Sequence, residues 1–404
     1  MNSNGSPLSS DDIPCVWPTN DWESSIPENQ GLNSSFLSKM DDFIYNKHYA
    51  LHGLVVTRNG YIVHELYPDW RYTPDTRHRI FSATKSVGSI LIGIAIDKGF
   101  ISSVEERVLD FFPDLTIDNL DARKERMTIE HLLTMTCGIE WWEWGISIED
   151  PANPYYNYSM SENPIEYFLS LPMEYDPGDV WVYCSPAITV LSHILYRATG
   201  LTPLQFAEEY LFSSLGISTV YWITDNFGIE CMSGALYLTP REMAKIGLLM
   251  ANHGCWNGTQ IVSESWVNYS TSQIVEQPYH TITPGYGYLW WVSPENGFYC
   301  AQGRFGQRIY ILPEYNIVLA ITCNLNDYLI QPWDYFIDKF IIPAIIANWT
   351  PTSKVTSTTT PSSSVTSSTN LPVGGLLIPV AFLSTISIVV LLVWKNFDTR
   401  REES

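Results

Sequence analysis

Ser82 and Lys85 stand three residues apart at the start of a helical run that reaches about Lys98 and is stopped by Gly99. On a helix, that spacing puts both side chains on one face, so the ammonium reaches the hydroxyl. The positive end of the helix favours a developing oxyanion there. Burial lowers an ammonium's proton affinity, which makes Lys85 a proton acceptor and Ser82 a nucleophile for acyl transfer. A Ser-x-x-Lys match alone is common by accident, and its bland reading is a helix cap beside a solvated lysine. The apolar run Ile90 to Ile96 argues against that reading, because it marks the helix as buried.

A serine also needs a second proton relay and a place for the oxyanion. The segment Asp176-Pro177-Gly178-Asp179-Val180-Trp181-Val182-Tyr183-Cys184-Ser185-Pro186 reads as a tight turn, a short β run and then a helix ended by Gly200. Tyr183 and Ser185 fall where strand becomes helix. Tyr183 serves as a base if a neighbouring lysine lowers its pKa from about 10; without that context it is packing. The segment Cys300-Ala301-Gln302-Gly303-Arg304-Phe305-Gly306-Gln307 brings two glycines to a strand edge, where substrate can lie against backbone. A backbone N–H near Gly303, with that of Ser82, would then bind the oxyanion. No GxSxG elbow and no HExxH pair is present. His48 and His52, four apart, read as an exposed helix face. The seven cysteines form no CxxC pair and no Cys/His cluster, which excludes a structural zinc site. Cys137 and Cys184 lack a histidine context for nucleophilic work. No metal and no organic cofactor is called for.

The elements that position these residues are sheet at both ends and helix between. Asn59-Gly60 between Leu54–Thr57 and Tyr61–His64 is a hairpin signal. Arg308–Leu312 and Ile317–Thr322 form a second hairpin, with Phe298–Cys300 as a strand beside it. Thr239-Pro240-Arg241-Glu242 is a capping box opening a helix that stops near Gly254, and a last apolar helix runs from Trp333 to Ala347. The expected fold class is α+β: an antiparallel sheet built from N- and C-terminal strands, flanked by helices, with an inserted helical subdomain and one C-terminal transmembrane helix.

Together these elements resemble the serine β-lactamase-related superfamily, which includes class C β-lactamases, DD-peptidases, esterases and 6-aminohexanoate-oligomer hydrolases. The resemblance covers about residues 17–345. It rests on FSATKS, MTIEHLLTMTCGIEW (127–141), Pro177-Gly178…Tyr183-x-Ser185, ALYLTPREMAKIG (235–247), GYGYLWWV (285–292) and AQGRFGQRIYILP (301–313). It implies Ser82 as the acylated nucleophile, Lys85 as its proton partner and Tyr183 as the second proton shuttle. It implies substrate contacts at Ser185, Gly303, Arg304 and Trp290. Two departures stand out. Tyr-x-Ser replaces the family's Tyr-x-Asn, and Ala301-Gln302-Gly303 replaces Lys-Thr-Gly, which removes the cation that binds a β-lactam carboxylate. Esters and amides are therefore expected ahead of β-lactams. Trp141, Trp142, Trp144, Trp290 and Trp291 are candidates for an aromatic cleft wall.

The chain of 404 residues, 45% hydrophobic with net charge −21, holds a large core and repels nucleic acid. The expected division is an N-terminal segment 1–16, a hydrolase domain 17–348, a Ser/Thr-rich stalk 349–370, a membrane-crossing helix 371–394 and a tail 395–404. Leu371 to Trp394 carries no charge, and Lys395, Arg400 and Arg401 follow it. The positive-inside rule then places the tail in the cytoplasm and the catalytic domain outside a cell membrane crossed once, with lipid around the helix as a partner. Sequons at Asn4, Asn33, Asn157, Asn257, Asn268 and Asn348 suit that side. The first residues show no signal peptide. The expected function is a membrane-anchored serine hydrolase acting on a small-molecule or peptide ester or amide. The competing expectation is a non-catalytic surface receptor that keeps the fold to bind a peptide, glycan or cell-wall fragment.

Overall fold

The computed structural model describes residues 15–280, 282–325 and 332–347. The chain divides into units 1–352 and 353–404. The expected stalk, spanning helix and tail lie outside the described residues.

Among the described residues the strands are β1 (Glu23–Ser24), β2 (Leu51–Arg58), β3 (Tyr61–Leu66), β4 (His78–Arg79), β5 (Tyr221–Trp222), β6 (Leu236–Leu238), β7 (Cys255–Trp256), β8 (Thr259–Gln260), β9 (Val275–Glu276), β10 (Gly285–Tyr286), β11 (Trp291–Ser293), β12 (Phe298–Gly303), β13 (Gln307–Leu312) and β14 (Ile317–Cys323). One sheet has nine strands in the order β1-β3-β2-β14-β13-β12-β11-β10-β9. Its central seam joins β2 to β14, with Arg58 opposite Ile317 and Leu54 opposite Ile321. The sheet is therefore closed by strands from opposite ends of the chain. At the tip of the β2–β3 hairpin, Asn59 and Gly60 have φ of 55° and 81°, the double left-handed conformation that a two-residue type I′ turn requires. A small sheet of β4, β6 and β5 lies at the entry to the inserted helical part.

Every residue of β13 and β14 is buried, which accounts for the apolar runs Ile309–Leu312 and Ile317–Ile321, since a strand covered on both faces has no solvent side to show. The long helices are α1 (Ser34–Lys47), α2 (Ala83–Asp97), α3 (Ser185–Thr199) and α4 (Pro240–Ala251). The α4 helix starts in the foreseen capping box, Thr239 accepting from Glu242 N. It packs so closely on the sheet that a methyl at Gly247 would sit 2.4 Å from Val318 Cγ1. On β13, Tyr310 donates its hydroxyl to Asp334 Oδ1 at 2.7 Å, which ties in the C-terminal helical stretch. That stretch is helical without a break from Trp333 to Ala344, with a wider π turn at Ile337–Ile341, and ends three residues short of the expected Ala347. The α2 helix is buried on all sides from Ala83 to Ala95, with Val87, Ile90, Leu91, Ile92 and Ile94 fully buried. At about 1.5–3 kcal/mol per side chain, this helix is a main anchor of the core.

Two expectations about the fold are corrected. The sheet is not wholly antiparallel, because β1 pairs parallel with β3, Glu23 opposite Tyr61 and Ser24 opposite Ile62. The reason is the path of the chain: Val16 N donates to Asn59 O at 3.0 Å, so the segment starts at the hairpin tip and runs back along β3 in β3's own direction. A two-residue strand leaves no periodicity to read. The transmembrane element is corrected as well. Among the described residues no helix is long and apolar enough to cross a membrane. The longest, α2 and α3, have 15 residues, about 22 Å at 1.5 Å per residue against a hydrocarbon core of about 30 Å. The expected segment 371–394 lies outside those residues, and no helix among the described residues supports the single-pass location with an outer catalytic domain and an inner tail.

Candidate active site

The nucleophile sits on a tight turn between strand and helix. Ile80 N donates to Leu236 O at 2.9 Å, and the chain then enters α2 through bonds from Ala83 N to Ile80 O, Thr84 N to Phe81 O and Lys85 N to Ser82 O. Phe81 has φ of 48°, a left-handed conformation that costs a non-glycine residue about 1–3 kcal/mol. Ser82 is at the cap position of α2, yet its side chain makes no cap bond. Its hydroxyl is therefore left for other partners.

Lys85 supplies one of them, donating from Nζ to Ser82 Oγ at 3.0 Å. The same ammonium nitrogen donates to the carbonyl of Ser233. Lys85 is 2% exposed, and burial lowers its pKa from 10.5 to about 8, with Glu143 and Cys184 pulling the other way. The loop that offers Ser233 is fastened to α3. Thr189 Oγ1 donates to Ser233 Oγ at 3.2 Å and Met232 N to Ser192 Oγ at 3.0 Å. His193 Nε2 lies 2.6 Å from Asp225 Oδ2.

Tyr183 closes the group. Lys85 Nζ lies 5.0 Å from its ring centroid. The expected lowering of the Tyr183 pKa is not found. Burial raises it, Glu143 raises it further, and the Ser82 hydroxyl lowers it only slightly, so Tyr183 stands beside Ser82 as a neutral phenol. Ser185 opens α3 and is spent inside the protein: its N donates to Glu143 Oε2 at 2.9 Å and its Oγ to Glu143 Oε1 at 2.7 Å. Trp141 Nε1 completes the carboxylate's set, donating to Oε2 at 2.8 Å. Sequence reasoning missed Glu143, a lone acid in a Trp-rich loop without motif spacing. It also missed the Ser233 carbonyl, which has no side-chain signature.

The remaining expected residues divide. Gly303 ends β12 against the turn of the nucleophile, and a methyl there would lie 2.1 Å from Ile80 O. Only glycine lets the strand edge approach so closely. Arg304 follows in a short turn with its guanidinium 4.8 Å from the Phe305 ring centroid. Trp290 is not brought to the site: it is fully buried and packs edge-on against Tyr299 at 5.5 Å. Its neighbour Trp291 faces the other way, as alternation on a strand demands, and stacks on Tyr183 at 6.3 Å. Trp144 stacks on Tyr183 at 4.9 Å and meets Tyr279 edge-on at 4.5 Å. Trp144 and Tyr279 are exposed, at 40% and 58%, so the aromatic wall beside Tyr183 is Trp144, Tyr279, Trp181 and Trp291. Trp141 lies in the core against Tyr158 and Phe168. His52 is on β2 rather than on a helix, stacked on Tyr72 at 3.8 Å.

The arrangement is a serine hydroxyl held between a buried lysine and a phenol, under a glycine strand edge. Comparison with known proteins bears on the family and the fold. The family model described as beta-lactamase matches residues 45–329. The 6-aminohexanoate-dimer hydrolase of Paenarthrobacter ureafaciens is 25% identical over 282 residues, 65% of this chain and 70% of that one. Esterase EstB of Burkholderia gladioli is 29% identical over 144 residues, 34% of this chain and 36% of the esterase. Among solved structures, a penicillin-binding protein homolog from Caulobacter crescentus superposes with a TM-score of 0.63 at 14% identity, covering 80% of this chain and 100% of that one. EstCE1, a hydrolase with promiscuous acyltransferase activity, superposes at 0.62 and 15%, covering 79% and 99%. At these identities the structural likenesses establish the fold.

Proposed function

From the premise that this chain belongs to the β-lactamase family and is a serine hydrolase, we propose that it hydrolyses an ester or amide through an acyl-enzyme on Ser82. The observation that carries the reading is the hydrogen bond from Lys85 Nζ to Ser82 Oγ, made by a lysine whose pKa burial has lowered to about 8. The neutral amine takes the hydroxyl proton as Oγ attacks the carbonyl carbon. The ammonium formed is held by the Ser233 carbonyl. Tyr183, kept protonated by burial and by Glu143, donates to the leaving oxygen or nitrogen and is reprotonated from Lys85. Water then attacks the ester of Ser82, and the same groups return the proton to Oγ. The oxyanion is to be bound by backbone N–H groups of Ser82 and of the strand end at Gly303.

Three features favour esters and linear amides over β-lactams. The Ser185 hydroxyl is donated to Glu143, so it does not donate to a substrate carbonyl. The strand before Gly303 carries Ala301 and Gln302 where a cation would bind a carboxylate. The relatives named above include a 6-aminohexanoate-dimer hydrolase and an esterase. The exposed rings of Trp144 and Tyr279 beside Tyr183 suit an apolar or ring-bearing group next to the scissile bond.

Intact-mass analysis of the protein with an activated ester, a penicillin and a fluorophosphonate, each beside Ser82→Ala, tests the proposal. A Ser82-dependent adduct with the ester or the fluorophosphonate is the expected result. Unchanged turnover in Ser82→Ala would overturn it. No adduct from any probe on folded protein would turn the reading to a non-catalytic binder.

A further inference from the structure

We propose that Glu143 is a positioning residue of this reaction: it clamps the junction that carries Tyr183 and Ser185 and fixes the negative charge that Lys85 faces. The inference rests on the serine-hydrolase mechanism above and adds a residue to it.

Glu143 is held on every side. Its carboxylate takes three donors, Ser185 N, Ser185 Oγ and Trp141 Nε1, at 2.7–2.9 Å. Its own carbonyl accepts from Asn153 Nδ2 at 3.2 Å. Asn153, fully buried, also donates to Ile146 O and caps the helix Pro154–Met160, which cinches the loop behind Glu143. Ser185 is the first residue of α3, where backbone N–H groups lack intrahelical partners and a negative charge is favoured. The neighbouring Cys184 N reaches only the weak acceptor Met135 Sδ, at 3.3 Å. Among the described residues, no lysine or arginine forms an ion pair with Glu143. Its three donors are neutral groups, so they leave its negative charge to act on the groups around it.

That charge acts on both proton carriers. On α2 it favours the protonated form of Lys85, opposing burial. At the α3 junction it disfavours ionisation of Tyr183 and of Cys184. The other groups that face the site are Arg308 of β13, which acts against it on Tyr183, and Tyr155, which feels Glu143, Cys231 and Arg79. A clamp that only shaped the junction would work equally well as an amide. A clamp that also sets charge would not.

The test is the pH dependence of Ser82 labelling by a fluorophosphonate on the whole protein, for wild type, Glu143→Gln, Glu143→Asp and Ser185→Ala. Lys85 must be neutral to act, so labelling rises with pH through its pKa. Removing the neighbouring charge lowers that pKa, and Glu143→Gln should move the rising limb about one pH unit towards acid, with a lower plateau. Ser185→Ala keeps the charge and loses one bond, so the plateau should fall while the limb stays in place. Glu143→Asp covers the case of a Gln variant that does not fold: the charge is kept on a shorter arm, and a wild-type limb with a roughly tenfold lower plateau is expected. A limb in folded Glu143→Gln that coincides with wild type, or an Asp variant with an undiminished plateau, would overturn the proposal alone. Wild-type protein that is unlabelled at Ser82 at every pH would overturn the mechanism with it.

Discussion

Phe81 and Phe305 both hold left-handed backbone, with φ of 48° and 59°, and their rings meet edge-on with centroids 5.1 Å apart. One precedes the nucleophile and the other follows the glycine strand edge, so each strained turn braces the other. Phe305→Ala keeps the left-handed backbone but removes the brace. Because the ring is half-buried, a loss of about 1–2 kcal/mol in stability is expected, read by thermal unfolding. Turnover should fall by tenfold or more with little change in KM, because the Ser82 turn loses its support while the aromatic wall stays.

The pH dependence of acylation follows from Lys85. With a pKa of about 8, the lysine is mostly protonated at pH 7 and mostly neutral at pH 9. kcat/KM for a neutral ester should therefore rise about tenfold per pH unit below 8 and level above it. A profile that is flat from pH 6 to 9 would remove Lys85 from the role of base.

Burying Lys85 has a stability cost that can be measured separately. A fall from 10.5 to about 8 corresponds to a penalty on the order of 3 kcal/mol. Below pH 8 both folded and unfolded chains bind the proton, and the penalty is complete. Between about 8 and 10.5 the unfolded chain binds it and the folded chain does not, so stability rises with pH; above 10.5 the penalty is gone. Lys85→Met should be inactive yet more stable than wild type at pH 7, with the gap narrowing as pH climbs through that window. Denaturant titrations at pH 7 and 9.5 check both parts.

Two tryptophans, one in the core and one beside Tyr183, should answer differently. Trp290→Ala empties a fully buried site and should cost about 3–5 kcal/mol of stability. Trp144→Ala removes a ring that is 40% exposed and stacked on Tyr183. It should leave the melting temperature within a few degrees while raising KM for aryl or long-chain esters more than for an acetate. Equal KM changes across such a series would detach Trp144 from substrate.

What could be read in the sequence was what local chemistry encodes. Asn59-Gly60 announced its hairpin because only that turn needs two left-handed residues. Thr239 to Glu242 announced α4 because the cap is contained in four residues. Ser82, Lys85 and Tyr183 could be singled out as candidates because such roles depend on side-chain type at fixed positions, and the fold brings the three together. What stayed hidden depends on distant partners. Glu143 reaches the site only because a loop brings it to the start of α3. Ser233 acts through a carbonyl that every residue has. The upward Tyr183 shift comes first from burial, which only the folded packing reveals, and then from that unseen carboxylate. Trp290 was chosen over Trp291 because the two are identical in type, and strand phase alone decides which of them faces Tyr183. The parallel β1 was too short to leave any pattern.

The seam between β2 and β14 dictates an order of assembly. Arg58 and Ile317 are partners, yet roughly 260 residues separate them, a loop whose closure entropy is met before any contact rewards it. During synthesis the β2–β3 hairpin is complete while β2's other edge has no partner, and an open edge invites the wrong strand. The inserted helices can gather in the meantime, but β12 and its glycine edge arrive roughly 220 residues after Ser82. A nascent chain therefore carries its serine, lysine and tyrosine before the strand that frames them. Premature release from whatever shields the open edge would threaten aggregation rather than misdirected chemistry.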